Sequence, residues 1–313
     1  MQNIPAIDMH SHIGNILYPN GGDTIFKTNI KFPKSTGLQY IDEKNLFRSA
    51  FISKTLDQLF PMWSTNCERK RNAAATLENF RKSMTASNTG VEIKYSVCLP
   101  VAPNNTYADV RAAHESDSRI IAFTSPNFTA TSKSTNEKLL SDLKNGAAGV
   151  KIHPIIQETE ADSKEVMEAV ETIAAYSKSA PVLFHAGKAK YYTPKERKQI
   201  FAENASVSKI EKVISAFPGV NFIAGHAGLR EIADVIALSG KYKNVYADTS
   251  FQSPEAIKAL ISSFGGERVL FASDWPYGLR KPAVLAVKEA CGNDDSLLKM
   301  ILYNNAANLL CLK

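Results

Sequence analysis

The sequence predicts a (β/α)8 barrel, and three observations predict it. Eight short runs rich in Val, Ile and Phe alternate along 313 residues with longer amphipathic stretches, the pattern of parallel strands joined by crossover helices. Polar side chains stand at the ends of these runs, at His12, His153, His185, His226 and Asp274. A barrel gathers all its strand C-termini on one rim, whereas an open doubly wound sheet concentrates its chemistry at one switch point. Neither a GxGxxG nor a GxxxxGKS/T phosphate loop occurs, which removes the usual mark of the open sheet.

In order, the strands are expected at 6–12, 91–100, 119–125, 149–153, 181–185, 220–226, 244–248 and 268–273. Helices are expected at 67–87, 107–116, 136–145, 163–179, 208–217, 229–239, 254–264 and 283–291, with a closing helix at 296–310. Ser253 before Pro254 reads as a cap followed by the first helical residue, and Gly146, Gly240 and Gly265 read as helix stops. Residues 15–66 break the pattern. This insertion after the first strand carries Tyr18, Phe26, Phe32, Tyr40, Phe47, Phe51, Phe60 and Trp63, and it leaves from the rim. A βα loop of this length is expected to be functional and to fold over the site as a cap.

The hydrophobic content of 44% supports one large core, so residues 1–313 are expected to form a single domain. The net charge of +6 comes without a dense basic block, which argues against nucleic acid or a membrane surface as partner. No apolar run approaches membrane-span length. Cys67, Cys98, Cys291 and Cys311 form no CxxC pair, which excludes a thiolate zinc site and fits a reducing cytoplasm. Met1–Pro5 shows no signal-peptide pattern.

The chemistry begins at Asp8-Met9-His10-Ser11-His12. Alternation along a strand puts His10 and His12 on one face, where two imidazoles can grip a divalent ion, and it puts Asp8 deeper on that same face as support. Val182 to Gly187 and Phe222 to Gly228 each run from apolar strand to histidine to glycine turn, and Val269 to Pro276 ends on Asp274. A histidine or aspartate at the end of a buried strand is costly to desolvate unless it binds something. Four histidines and a carboxylate converging on one mouth point to a metal.

The wording IDMHSHIG, GVKIHP, VLFHAG, AGHAG and FASDWPYG resembles the amidohydrolase superfamily, in its amidohydrolase-related branch of barrel hydrolases and non-oxidative decarboxylases. The resemblance spans the chain outside the insertion. It implies His10, His12, His185 and Asp274 as metal ligands, with Asp274 also the general base and His226 orienting the attacking water or stabilising an oxyanion. It implies one divalent metal, zinc first and manganese, iron or cobalt also compatible, with a second metal disfavoured because the strand 4 motif GVKIHP also occurs in mononuclear relatives. Lys151 has three readings: a bridging carbamate, a cation for a substrate carboxylate, or a structural ion-pair partner. His153 is a substrate contact or a buried structural histidine.

Arg230 and Arg280, following the histidine of strand 6 and the aspartate of strand 8, are expected at the rim, where with Lys151 and His153 they would bind an anionic substrate. Lys188 follows His185 in the same way, and Asp248 and Ser250 are expected to line the mouth. The function implied is hydrolysis of a C–N or C–O bond in a small molecule. Metal-dependent decarboxylation on the same site and a non-catalytic binding barrel are the alternatives. Relatives in the branch are often homo-oligomers.

Overall fold

The computed structural model describes residues 3–33, 68–84, 89–177, 179–192 and 201–312. Its strands are β1 (Ile4–Ser11), β2 (Val91–Cys98), β3 (Ile120–Ala122), β4 (Val150–Ile152), β5 (Val182–His185), β6 (Phe222–Gly225), β7 (Val245–Asp248) and β8 (Val269–Leu270). Its helices are α1 (Leu77–Met84), α2 (Tyr107–Ser116), α3 (Ser132–Lys144), α4 (Lys164–Tyr176), α5 (Val207–Ala216), α6 (Ile232–Lys241), α7 (Pro254–Phe264) and α8 (Arg280–Cys291). The closing helix expected over 296–310 follows as one run over 295–309, in which α9 (Asp295–Lys299) and α10 (Asn305–Leu309) are joined by a π-helical turn (Met300–Asn304).

Strands β1-β2-β3 pair in parallel, as do β4-β5-β6-β7-β8. Two bridges join these arcs, Thr124 with Val150 and Ser11 with Trp275. Backbone bonds continue both seams: Lys151 N to Thr124 O at 2.8 Å, Met9 N to Phe271 O at 2.9 Å and Asp274 N to His10 O at 2.7 Å. The eight strands therefore close into the (β/α)8 barrel that the sequence predicts.

Inward residues Ile7, Met9, Val97, Leu99, Phe123, Leu183, Ile223 and Leu270 form one apolar cluster. The alternate residues of the same strands, such as Val182, Phe184, Phe222 and Val245, pack outward against the helices. Burying each such large side chain contributes about 1.5–3 kcal/mol. Parallel strands covered on both faces explain why these segments read as continuous apolar runs.

Helix α7 starts as the sequence predicts, with Ser253 Oγ accepting from Ala256 N–H and Pro254 in the first turn. Helix α3 starts four residues earlier than expected, at Ser132, because Thr131 caps it by accepting from Ser134 N–H. The helix expected over 67–87 is broken: residues 68–72 are helical, the chain turns at 73–74, and α1 restarts at Leu77, where Thr76 Oγ1 accepts from Asn79 N–H. Strand 8 is also shorter than expected, because beyond Leu270 the chain leaves the ladder with β7 and bonds to β1 instead.

Of the insertion at 15–66, residues 15–33 are described, and 34–66, with Tyr40, Phe47, Phe51, Phe60 and Trp63, lie outside the described residues. The described part turns back on itself through Asn15 N to Gly21 O at 2.9 Å and buries Ile16 and Leu17 at the barrel mouth. Among the described residues Cys98, Cys291 and Cys311 are free thiols. No described helix is long and apolar enough to cross a membrane.

Candidate metal centre

The site is built at the C-terminal ends of β1, β4, β5, β6, β7 and β8. A register shift in β1 between Asp8 and Ser11 decides what its residues face. Met9 joins the inner apolar cluster, and His10 also turns inward, toward Lys151, Asp248 and Asp274. Ser11 turns outward, its Oγ 2.8 Å from Ser96 Oγ, and His12 turns inward again, its Nε2 3.3 Å from Asp274 Oδ1. Two consecutive inward residues are the signature of a β-bulge, a common device for re-aiming side chains beside active sites.

This bulge corrects the expectation for Asp8. It does not share a face with His10. It lies on the outer side of the wall, where Oδ1 accepts from Ser273 N–H at 2.9 Å and Oδ2 accepts from Ser273 Oγ at 2.6 Å and from Arg280 Nε at 3.1 Å. Arg280 is corrected with it. The guanidinium is buried, bonds Ser96 Oγ at 2.9 Å and also Ser83, and stacks on Phe80 and Trp275 at 4.9 and 5.3 Å. It is a group of the barrel wall and is not at the rim.

Hydrogen bonds fix the imidazole tautomers. His12 Nδ1 lies 2.7 Å from the Leu99 carbonyl, which only accepts, so Nδ1 carries the proton. His10 Nδ1 lies 2.7 Å from Asp248 Oδ2 and donates likewise. Ser250 Oγ donates to Asp248 Oδ1 at 2.5 Å and so accepts from His226 Nδ1 at 2.7 Å. The Nε2 atoms of His10, His12 and His226 are therefore lone pairs. Those of His10 and His12 face Asp274 Oδ1 at 3.4 and 3.3 Å.

Acceptors facing acceptors are repulsive unless a proton or a cation lies between them. Asp274 Oδ1 and His185 Nε2 are both buried without a hydrogen-bond partner. Ligand atoms of His10, His226 and Asp274 lie within 4.8 Å of one another. Neutral imidazoles plus one carboxylate are a donor set for a divalent ion such as zinc or manganese. Burial keeps the rings neutral: it lowers the pKa of His10, His185 and His226 well below the usual histidine value and that of His12 to about 3. Burial also pushes the carboxyl of Asp274 well above its ordinary range, which a bound cation would reverse. The residues fit a metal.

Local backbone serves this convergence. His226 and Asp274 both hold a left-handed backbone, φ 56° each, which swings their side chains across the mouth. Gly225 carries no side chain because a Cβ there would stand 2.5 Å from Phe184 O and 3.2 Å from His10 Cε1. The rings then stack: His10 on His226 at 4.5 Å and His153 on His185 at 4.2 Å.

Lys151 is fully buried among them, Nζ 3.1 Å from His10 Nε2. Burial lowers its pKa to about 7, against the opposing pull of Asp274 and Asp248. His153 differs from the other rings: its Nδ1 accepts from Ile156 N–H at 3.3 Å, which places the proton on Nε2. Arg230 is exposed on the turn after β6, and Lys188 pairs with Glu203 at 2.9 Å on the surface. Asp248 and Ser250 do not line the mouth. Both are fully buried behind the histidines.

The sequence reading did not single out the aromatic collar. Tyr277 meets His12 edge-on at 5.9 Å, Tyr191 meets His153 and His185 at 5.2 and 5.8 Å, and Phe251 lies against His226 at 5.4 Å. Ile16, Leu17, Val101 and Ile156 complete it. Tyr277 Oη donates to Asn72 at 2.9 Å, and Tyr191 Oη lies 3.4 Å from His185 Nδ1. Their only sequence signal is position, three residues after Asp274 and six after His185.

Known structures share this architecture. An uncharacterized TIM-barrel protein from Bordetella bronchiseptica matches with TM-score 0.65 at 16% identity, over 98% of each chain. The 2,6-dihydroxybenzoate decarboxylase from Rhizobium matches with TM-score 0.64 at 14% identity, over 100% of this chain and 99% of its own. A dihydroxybenzoic acid decarboxylase from Polaromonas sp. JS666, with bound manganese and the inhibitor 2-nitroresorcinol, matches with TM-score 0.62 at 14% identity, over 100% and 98%. At such identities the likeness is one of fold. No curated protein sequence matches the chain. The amidohydrolase-2 family model does match, over residues 7–312, from within β1 to the last turn after α10, and the chain belongs to the amidohydrolase family.

Proposed function

We propose that this protein is a metal-dependent hydrolase that cleaves a C–N or C–O bond in a small anionic substrate. The observation that carries the reading is Asp274 Oδ1, buried and unpartnered beside the Nε2 atoms of His10 and His12. His10, His12, His185 and Asp274 would hold one divalent ion, zinc by donor set, with His226 close enough to serve as a further ligand. When bound, the ion supplies Lewis acidity toward a substrate oxygen and lowers the pKa of water.

The remaining chemistry belongs to the chain. Asp274 takes the proton from the attacking water and returns it to the leaving group. His226 accepts a hydrogen bond from that water at Nε2, because its Nδ1–H is committed to Ser250. That tautomer favours orienting the water over stabilising an oxyanion. His153 donates from Nε2 to a substrate oxygen. Lys151 and Arg230 supply positive charge toward an anionic group. The collar of Tyr191, Phe251 and Tyr277 keeps bulk water away. One domain over 1–313 and a cytoplasmic setting, in keeping with the free thiols, belong to the same reading.

The same collar favours a second reading, decarboxylation of an aromatic acid, the activity named for the Rhizobium and Polaromonas proteins. Turnover in 18O-labelled water separates the two. Label entering the product from an ester, lactone or amide supports hydrolysis. CO2 released from a carboxylated aromatic, with no label incorporated, replaces it with decarboxylation.

A further inference from the structure

One carboxylate behind the site is tied to two of its histidines. Asp248, the last residue of β7, is fully buried and receives four donors. Its Oδ2 accepts from His10 Nδ1 at 2.7 Å. Its Oδ1 accepts from His226 N–H at 2.9 Å, Ser250 N–H at 3.0 Å and Ser250 Oγ at 2.5 Å. Because Ser250 Oγ spends its proton on Asp248, it has only lone pairs to offer His226 Nδ1, 2.7 Å away. The polarity of both chains is thus set from one end. An acceptor-only carboxylate forces Nδ1–H on His10 directly and on His226 through a hydroxyl.

We propose that Asp248 is a positioning residue for both histidines, fixing the tautomers that leave the Nε2 lone pair of His10 free for the metal and that of His226 free for the water beside it. A merely structural role is the competing account, since the two bonds to Ser250 also shape the turn at the end of β7. That account explains neither the contact with His10, 238 residues away in sequence, nor the relay through Ser250 to the His226 ring. Ligand histidines commonly donate their second nitrogen to a carboxylate or carbonyl. Here a single carboxylate takes that part for His10 directly and for His226 through the Ser250 hydroxyl. The consequence for binding rests on the metal reading of the site. The tautomers do not.

The experiment uses metal-free protein labelled with 15N-histidine, each ring assigned by single replacement, and reads tautomers from long-range 1H–15N shifts. Wild type is expected to show Nδ1–H on His10 and His226. Asp248→Asn presents an amide donor to His10 and is expected to flip it to Nε2–H, while Ser250→Ala releases His226 alone. In a parallel titration, Asp248→Asn is expected to bind Co2+ about 10–100-fold more weakly, with a changed visible spectrum. Unchanged His10 and His226 tautomers together with a Co2+ affinity within about twofold of wild type, on the scale of that same 10–100-fold effect, would overturn the proposal. If wild type binds no Co2+, the metal reading falls, and the nitrogen shifts decide Asp248 on their own. Should Asp248→Asn fail to fold, Ser250→Ala still tests the His226 branch.

Discussion

Lys151 Nζ stands 3.1 Å from His10 Nε2, so in the metal-free protein an amine occupies the direction in which a ligand lone pair must point. Burial brings the Lys151 pKa down to about 7. Below that pH the ammonium donates to His10, and above it the hold weakens. Metal affinity is therefore expected to rise as pH increases through about 7 and to lose that step in Lys151→Met. Competition titrations with Zn2+ from acid to alkaline pH check this, and an identical profile in both proteins contradicts it. Two metals per chain by elemental analysis would make Lys151 a bridge instead.

His185 and His10 carry the next prediction. His185 Nε2 is buried without a partner, and His10 Nε2 lies 3.4 Å from Asp274. Elemental analysis is expected to find one metal per chain in wild type and little in His185→Ala or His10→Ala. Full metal content in either variant removes that residue from the ligand set.

The barrel was legible because parallel strands buried on both faces must read as apolar runs, and because their ends carry histidines. The gathering of His10, His12, His185, His226 and Asp274 at one mouth could be read for that reason. Asp8 was misread because alternation was carried through a bulge, and nothing in IDMHSH marks an extra inward residue. Arg280 was misread because loop position does not tell whether a side chain meets the mouth or an outward carboxylate. Tyr191, Phe251 and Tyr277 were missed because loop aromatics acquire a role only from the rings they meet.

Asp274→Asn tests the proton acceptor. Asparagine tolerates a left-handed backbone, so the φ of 56° at this position does not oppose the change. Turnover is expected to fall by at least about 100-fold while circular dichroism stays native, the scale of losing a general base. Retained turnover removes Asp274 from that role.

Acid should destabilise the metal-free protein steeply. His10, His12, His153, His185 and His226 are buried with lowered pKa values, that of His12 near 3. Below about 6.5 the unfolded chain takes up protons that the folded chain refuses. Their contribution is complete above that pH and is lost as pH falls, by about 2 kcal/mol per ring at pH 5. Asp8 and Asp274, raised by burial, act in the opposite sense, but they are two groups against five. Denaturant midpoints measured between pH 7 and 5 should drop. A flat profile would show that the rings are not buried and neutral.

Arg280 decides between wall and rim. Its ion pair with Asp8 spans 3.1 Å, with the two side chains 3% and 0% exposed. Removing one partner strands a buried charge and costs about 3–5 kcal/mol. Arg280→Met is therefore expected to lower the unfolding midpoint and to leave KM for an anionic substrate unchanged. Replacing both partners with apolar residues should recover part of the loss, because no charge is then left unpaired. A tenfold rise in KM with an unchanged midpoint would return Arg280 to the substrate. The stability loss is the expected result, because the guanidinium already has Asp8, Ser96, Ser83 and two aromatic faces on the far side of the strand that carries the ligands.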